Sequence, residues 1–398
     1  VVFNATLNHR VRMLDGQWQG VHMASDGKVY FFGGSHSAGV SAPFFRYDPA
    51  RNDSATSAHD IEIIAQDMTR ICGEDPTKTP TQGKVHSDIM EHNGWLYFGT
   101  HLSDYTPAGC HAYTGGHLVG YELATGKFRD YGVIHPNFTN YSAVAVDRLR
   151  NHAYFYATPF GKGDGPHLHR IDLATGENKD LGLVAPWNGK GHGQPCQHMF
   201  VDPRGDCWFT VRGEHALFVA RYDSGKIERY DGMLPGNAPQ WYCQRDLPNP
   251  EQTLVIFPDG FYIFDASQFG SADGPFKLLK KVNTPGLHWS YFAVDDKRFY
   301  WNSRTQEHLP TTGQHETRIW SSSLTNPSET IDHGPIRDAQ GRGPWFIGDM
   351  VTDRKGRLYT AGRWYVLPEE VPTIGVNRNG LLCAVFFTVL DVSQDLPG

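Results

Sequence analysis

His86 and His101 are the first residues whose type and placement could do chemistry. An imidazole titrates near neutral pH and can take or give a proton. The two bracket the segment Val85-His-Ser-Asp-Ile to Gly94-Trp-Leu-Tyr-Phe-Gly-Thr-His101, two β-rich runs around an Asn-Gly turn. A hairpin brings the start of its first strand beside the end of its second, so the two imidazoles are expected to be neighbours. Arg212, Arg304 and Arg363 close comparable runs elsewhere, and a guanidinium is a planar fork that matches a carboxylate. Tyr242 and Trp289 supply flat apolar faces for sugar rings. Together these suit β-elimination at a uronic acid. Neutralising the carboxylate lowers the pKa of C5–H, a base takes that proton, and an acid helps the 4-linked oxygen leave.

Residues so far apart in sequence need a scaffold that gathers them. Seven segments repeat one pattern of apolar run, tight turn and second run ending near an aromatic: 21–34, 85–100, 141–158, 198–213, 242–258, 290–304 and 348–363. Their anchors, Tyr30, Tyr97, Tyr154, Trp208, Val255, Tyr300 and Tyr359, recur every 45 to 67 residues. A second hairpin follows several of them, at Tyr121-Glu-Leu-Ala-Thr-Gly-Lys, Ile171-Asp-Leu-Ala-Thr-Gly-Glu and Arg221-Tyr-Asp-Ser-Gly-Lys. Two hairpins make a four-stranded antiparallel sheet, which cannot bury both faces alone. Radial stacking buries them, so the expected fold is an all-β seven-bladed β-propeller, a single domain over residues 1–398. The strand-like ends, 1–7 and 381–392, are expected to pair and close the ring, which removes two exposed edges. A pair of β-sandwiches is the competing architecture, and it would not demand the repeat.

In a propeller the first strand of each blade lines the central channel, so its start and the end of the second strand share one mouth. Strand starts bring Gln19, His86, Tyr141, Ser142, Gln197, His198, Tyr242, Gln244, Arg245, Trp289 and Asp349 there. Strand ends bring His36, His101, Lys162, Arg212, His215, Arg304 and Arg363. The catalytic candidates are His86, His101, Tyr141 and Arg212. His36, Gln197, His198, Tyr242, Arg245, Trp289, Arg304 and Arg363 are the candidates for holding substrate. Each also has a structural reading: Tyr141 could pack between blades, and a rim arginine could simply pair with Asp88 or Asp349. His192, Cys196 and His198 have a spacing that could hold a structural zinc or calcium. The chemistry itself requires no cofactor and no catalytic metal.

The chain has 398 residues and a net charge of −7, with 36 Lys+Arg against 43 Asp+Glu, so it lacks the basic footprint of a nucleic-acid or anionic-membrane binder. No stretch approaches the roughly 20 apolar residues of a spanning helix. Only 20% of residues are charged, and 43 Gly with 25 Pro favour turns and short strands over coiled coil or disorder. Asn4, Asn52, Asn137 and Asn140 open Asn-x-Ser/Thr sequons, and six cysteines form an even set that an oxidising compartment could pair. Val1 opens the chain as in a processed form. The expectation is a secreted, glycosylated, disulfide-bearing monomer acting on an acidic polysaccharide or oligosaccharide. No Gly-x-Ser-x-Gly elbow, sialidase Asp box or P-loop stands in the chain.

The segment Val85-His-Ser-Asp-Ile with Gly94-Trp-Leu-Tyr-Phe-Gly-Thr-His101 resembles the second-blade signature of the seven-bladed β-propeller polysaccharide lyases. These include ulvan lyases and the secreted L-rhamnose-α-1,4-D-glucuronate lyases that act on gum arabic and arabinogalactan side chains, to which the chain is most similar. The resemblance implies a histidine base/acid, carried to His86 with His101 as companion, and an arginine that neutralises the uronate. The ulvan lyases' tyrosine matches Tyr141 by position. Their arginine has no match on the third blade, where Lys162 stands, and Arg212 one blade on takes its place. Related propeller rhamnosidases hydrolyse the same linkage with a histidine, so hydrolysis is the rival outcome. A non-catalytic carbohydrate-binding propeller is a further alternative.

Overall fold

In the computed structural model the chain forms seven sheets, each built around four antiparallel strands. It describes residues 3–7, 11, 13–51, 61–160, 163–187, 189, 194–282, 291–304, 316–338, 341–353, 355–366 and 383–396. Blades 1 to 6 start at Val21, Lys84, Phe138, Met199, Gln244 and Phe292, and each runs outward in chain order. Blade 7 takes Pro344–Thr352, Arg357–Tyr365 and Cys383–Asp391 from the end of the chain and its outermost strand, Phe3–Thr6, from the beginning. This is the terminal-strand closure the sequence predicts. Phe3 pairs with Val389 and Thr6 with Phe386. Among the described residues the only α-helices are Met68–Ile71 and Pro107–Ala112.

The repeat has a local cause beyond its turns. In four blades an aspartate at the first hairpin caps the turn and also binds the aromatic anchor of the second strand. Asp353 accepts from the Lys355 and Arg357 backbone N–H groups at 2.8 and 3.0 Å and from Tyr359 Oη at 3.0 Å. Asp295 does the same for Lys297, Arg298 and Tyr300, Asp202 for Arg204, Asp206 and Trp208, and Asp26 for Lys28 and Tyr30. One carboxylate therefore fixes both turn and register. Tyr359→Phe, which keeps the buried ring and removes the donor, is expected to cost about 1.5–3 kcal/mol. A urea-unfolding midpoint equal to the wild type's would contradict this.

Aromatic side chains fill the seams between blades. Phe31 stacks on Phe387 across blades 1 and 7 at 4.5 Å, Phe32 meets Phe98 across blades 1 and 2 at 4.7 Å, and Trp208 meets Phe264 across blades 4 and 5 at 5.4 Å. The innermost strands are less regular where they reach the channel. Blade 2's is split into Lys84–Val85 and Met90–His92, which leaves His86 to Ile89 outside the ladder. In blade 3 the pairing jumps from Asn140–Ala157 to Val144–Phe155, so residues 141–143 bulge out. Blade 7 shifts register between Ile347 and Asp349. Such irregularities re-aim side chains that a regular pleat would alternate.

Two expectations about processing need correction. No disulfide joins any of the six cysteines; five are buried and Cys110 is partly exposed. Asn140 is fully buried, and its Nδ2 donates to the carbonyls of Ala143 and Tyr156 at 2.9 and 3.0 Å, so it cannot carry a glycan. Asn137 is exposed. Asn52 lies outside the described residues.

Candidate functional site

The break in blade 2 and the bulge in blade 3 face each other at the channel mouth. His86 lies 4.7 Å from His101 and 4.7 Å from Tyr141, ring centre to ring centre, and His101 lies 5.0 Å from Tyr141. Trp18, from the loop entering blade 1, stacks on His86 at 5.1 Å with planes 15° apart. The indole can lie there because residue 34 is glycine: a Cβ on Gly34 would come within 2.9 Å of it. His101 is fully buried and held at both nitrogens, Nε2 by Tyr105 Oη at 2.5 Å and Nδ1 by Thr139 Oγ1 at 2.6 Å. Its ring is therefore fixed against His86, which makes it a positioning residue. Tyr141 is half-buried and borders the opening.

Cationic groups surround these rings. Lys84 Nζ sits 3.7 Å from the Tyr105 ring centre and 5.6 Å from that of Trp18. Arg363 lies 5.3 Å from the Trp18 ring and binds Asp15 through the backbone carbonyl and a carboxylate oxygen. Asp15 also holds His36, with Nδ1 at 3.0 Å from Oδ1. Burial, then the charge of Lys84, push the His36 imidazole down to about 4 despite Asp15, so it is neutral at pH 7. Burial would raise Asp15, but its hydrogen bond to His36 and the charges of His36, Arg363 and Lys84 outweigh that and hold it below the usual carboxylate range. Burial raises the Tyr141 phenol, and the charge of Arg212 draws it back down. Burial raises the Tyr242 phenol too, and Arg212 again opposes the shift, so its charge stands within electrostatic reach of both phenols. Histidines and a phenol that can exchange protons thus stand beside cations able to face an anion.

Beneath this layer a charged network plugs the channel. His198 Nδ1 lies 2.6 Å from Asp88 Oδ2, Arg245 Nη1 lies 3.6 Å from Asp88 Oδ1, and Arg245 also binds Asp349. Asp349 accepts from the backbone N–H of Val21 at 2.9 Å. Gln19 Nε2 donates to the Gln197 carbonyl at 2.8 Å. Blades 1, 2, 5 and 7 and the residue that leads into blade 4 are thereby tied at the axis. Burial opposes a charge on His198, but Asp88 overrides it and pushes the imidazole up to about 10. A pKa raised on folding stabilises below the unfolded value near 6.5 and loses that contribution as pH climbs towards 10. Unfolding free energy is therefore expected to fall over this window, with a limiting slope of about 1.4 kcal/mol per pH unit from this group. His198→Gln should flatten that fall in denaturant titrations, and an unchanged pH profile would contradict the assignment.

Of the residues predicted from sequence, His36, His86, His101, Tyr141, Arg212, Tyr242 and Arg363 lie at the mouth. His198 and Arg245 lie deeper, in the channel network, with His198 fully buried. Gln197 is half-buried and turns its carbonyl to Gln19. Arg304 ends the second strand of blade 6. Trp289, Lys162 and His192 lie outside the described residues. Trp18, Lys84, Asp15 and Tyr105 belong to the mouth but were missed. Lys84 stands two residues before His86, and Trp18 immediately precedes the selected Gln19, the only signals that pointed to them.

No protein-family model matches the chain, and no curated protein does. Solved structures do. Virginiamycin B lyase from Staphylococcus aureus is 10% identical, with 97% of each chain covered and a TM-score of 0.55. A GH74 enzyme from Niastella koreensis is 12% identical over 88% of this chain and 51% of its own, with a TM-score of 0.54. The WD40 repeats of RRP9 are 11% identical over 97% of each chain, with a TM-score of 0.52. Structural neighbours thus include a lyase, a glycoside-hydrolase-class enzyme and a WD40-repeat protein, and what the chain shares with all of them is the seven-bladed propeller.

Proposed function

We propose that the mouth is the active site of an extracellular polysaccharide lyase that breaks the bond at C4 of a uronate, with rhamnosyl-α-1,4-glucuronate as first substrate. The observation that carries this reading is the meeting of His86, His101 and Tyr141, with Arg212 within electrostatic reach of the Tyr141 phenol. Arg212 would face the uronate carboxylate, and the buried cations Lys84 and Arg363 would add a positive field. His86 would take the C5 proton. The C–H electron pair then forms the C4–C5 double bond, the C4–O bond breaks, and Tyr141 protonates the departing oxygen. Rhamnose leaves with that oxygen, and the uronate remains unsaturated.

Incubation with a rhamnose-capped glucuronate oligosaccharide is expected to release rhamnose together with the ultraviolet absorbance of an unsaturated uronate. Rhamnose without that chromophore would identify a hydrolase instead. Binding without either product would leave a carbohydrate-binding propeller.

A further inference from the structure

We propose that His135, His167, His169 and Asp180 form a metal site on the outer rim of blade 3, built for a divalent ion that prefers nitrogen ligands, zinc first. His135 lies in the connection from blade 2 to blade 3. His167 and His169 alternate onto one face of the third strand, His167–Asp172, and the register sets Asp180 opposite His169 on the outer strand, Asn178–Leu183. One donor atom from each of the four lies within 4.8 Å of all the others. His135 Nδ1 is 3.0 Å from His169 Nε2, and His167 Nδ1 is 2.9 Å from Asp180 Oδ2. Two nitrogens bonded to one tetrahedral zinc at 2.0–2.1 Å stand about 3.3 Å apart, so little movement separates this cluster from a coordination shell.

The outer nitrogens are oriented as a metal site requires. Asn178 Nδ2 donates to the Ile134 carbonyl at 2.8 Å, which turns its Oδ1 to His169 Nδ1 at 3.0 Å. Nδ1 of His169 must therefore carry the proton, and Nε2 faces the cluster with its lone pair. Asp164 accepts from His167 Nε2 at 3.2 Å and orients that ring in the same way. Such carboxylate and amide supports are the usual partners of ligating histidines. A bound ion would displace two protons: the one that His167 Nδ1 shares with Asp180, which would go to solvent, and the one that His135 Nδ1 directs at His169 Nε2, which would move to His135 Nε2 as that ring changes tautomer. Three imidazoles and one carboxylate suit zinc, whereas calcium and magnesium prefer all-oxygen sets. The cluster of Cys72, His117 and Asp130 differs: it offers a single imidazole, and both nitrogens of that ring already face carboxylates, Asp130 at 2.9 Å and Glu74 at 3.4 Å.

The ion would clamp the inter-blade connection to blade 3. The His135 ring lies 4.1 Å from Phe138, which opens the inner strand leading to Thr139 and Tyr141. The test uses the full chain stripped with a chelator, dialysed, and titrated with zinc sulfate alone, with calcium and magnesium chloride in parallel. Elemental analysis and calorimetry are expected to give about one zinc for this site and a Tm raised by zinc but not by the other two ions. The double variant His135→Ala/His169→Ala should lose that equivalent and the Tm response. Asp180→Asn, at an exposed position that keeps its shape, should weaken zinc binding tenfold or more and covers the case in which the double variant fails to fold. Zinc uptake equal in the wild type and these variants, or no uptake by the wild type, would overturn the proposal.

Discussion

Turnover of a rhamnose-capped glucuronate by the His86→Ala variant is expected to fall by about 10²–10⁴-fold, the share a positioned general base supplies. His86 is 5% exposed, pressed between the Trp18 face and the edges of His101 and Tyr141. It therefore has a fixed direction and an opening on the mouth, the two things a proton acceptor needs. The fold should survive, because His86 lies outside the strand ladder of blade 2 and outside the Phe and Trp seams such as Phe31–Phe387 and Phe32–Phe98. A circular-dichroism melt near the wild type's, with turnover abolished, is the expected pair of results. Full turnover in a folded His86→Ala protein would remove this residue from the chemistry. Tyr105→Phe is the milder companion. It frees one nitrogen of His101, so a loss confined to kcat is expected if His101 acts by holding His86 in place.

The largest stability effect is expected at Arg245. Its guanidinium sits between Asp88 and Asp349, and neither carboxylate has much exposed surface. Burial already pushes the Asp349 carboxyl up, with Arg245 opposing that shift. Arg245→Met would leave two carboxylates facing each other in the channel, and removing one partner of a buried ion pair costs about 3–5 kcal/mol. Adding Asp349→Asn should recover part of that loss, since it removes one stranded charge. Urea midpoints of the single and double variants decide the point. A single variant within about 1 kcal/mol of wild type would show that the network contributes little.

Fold and site were legible in the sequence to different depths. The propeller could be read because turn residues and anchors recur, and even the weakest repeat, around Val255, forms its blade. The meeting of His86 and His101 could be read because a hairpin dictates it. Depth could not. His198 and Arg245 start inner strands like the others, yet the Asp88 carboxylate draws both down to the axis. Asp88 itself is available only because blade 2's inner strand breaks after Val85, an irregularity that no local pattern announces. Trp18, Lys84 and Tyr105 reach the mouth through long-range packing: an indole against glycine backbone and an ammonium over a phenol ring. Asn140 carried a sequon but serves as a buried bracket across the blade 3 bulge.

The most direct test is a crystal structure of the His86→Ala protein soaked with a rhamnose-capped glucuronate trisaccharide. The expected result is a uronate whose carboxylate faces Arg212, whose C5–H points to the space left by the imidazole, and whose 4-linked oxygen lies near Tyr141. A cavity of about 370 Å³, bordered by Met90, Arg148, Leu149, Pro203 and Leu247, lies among the hairpin turns at the opposite end of the channel. Sugar bound there, with the mouth empty, would contradict the account.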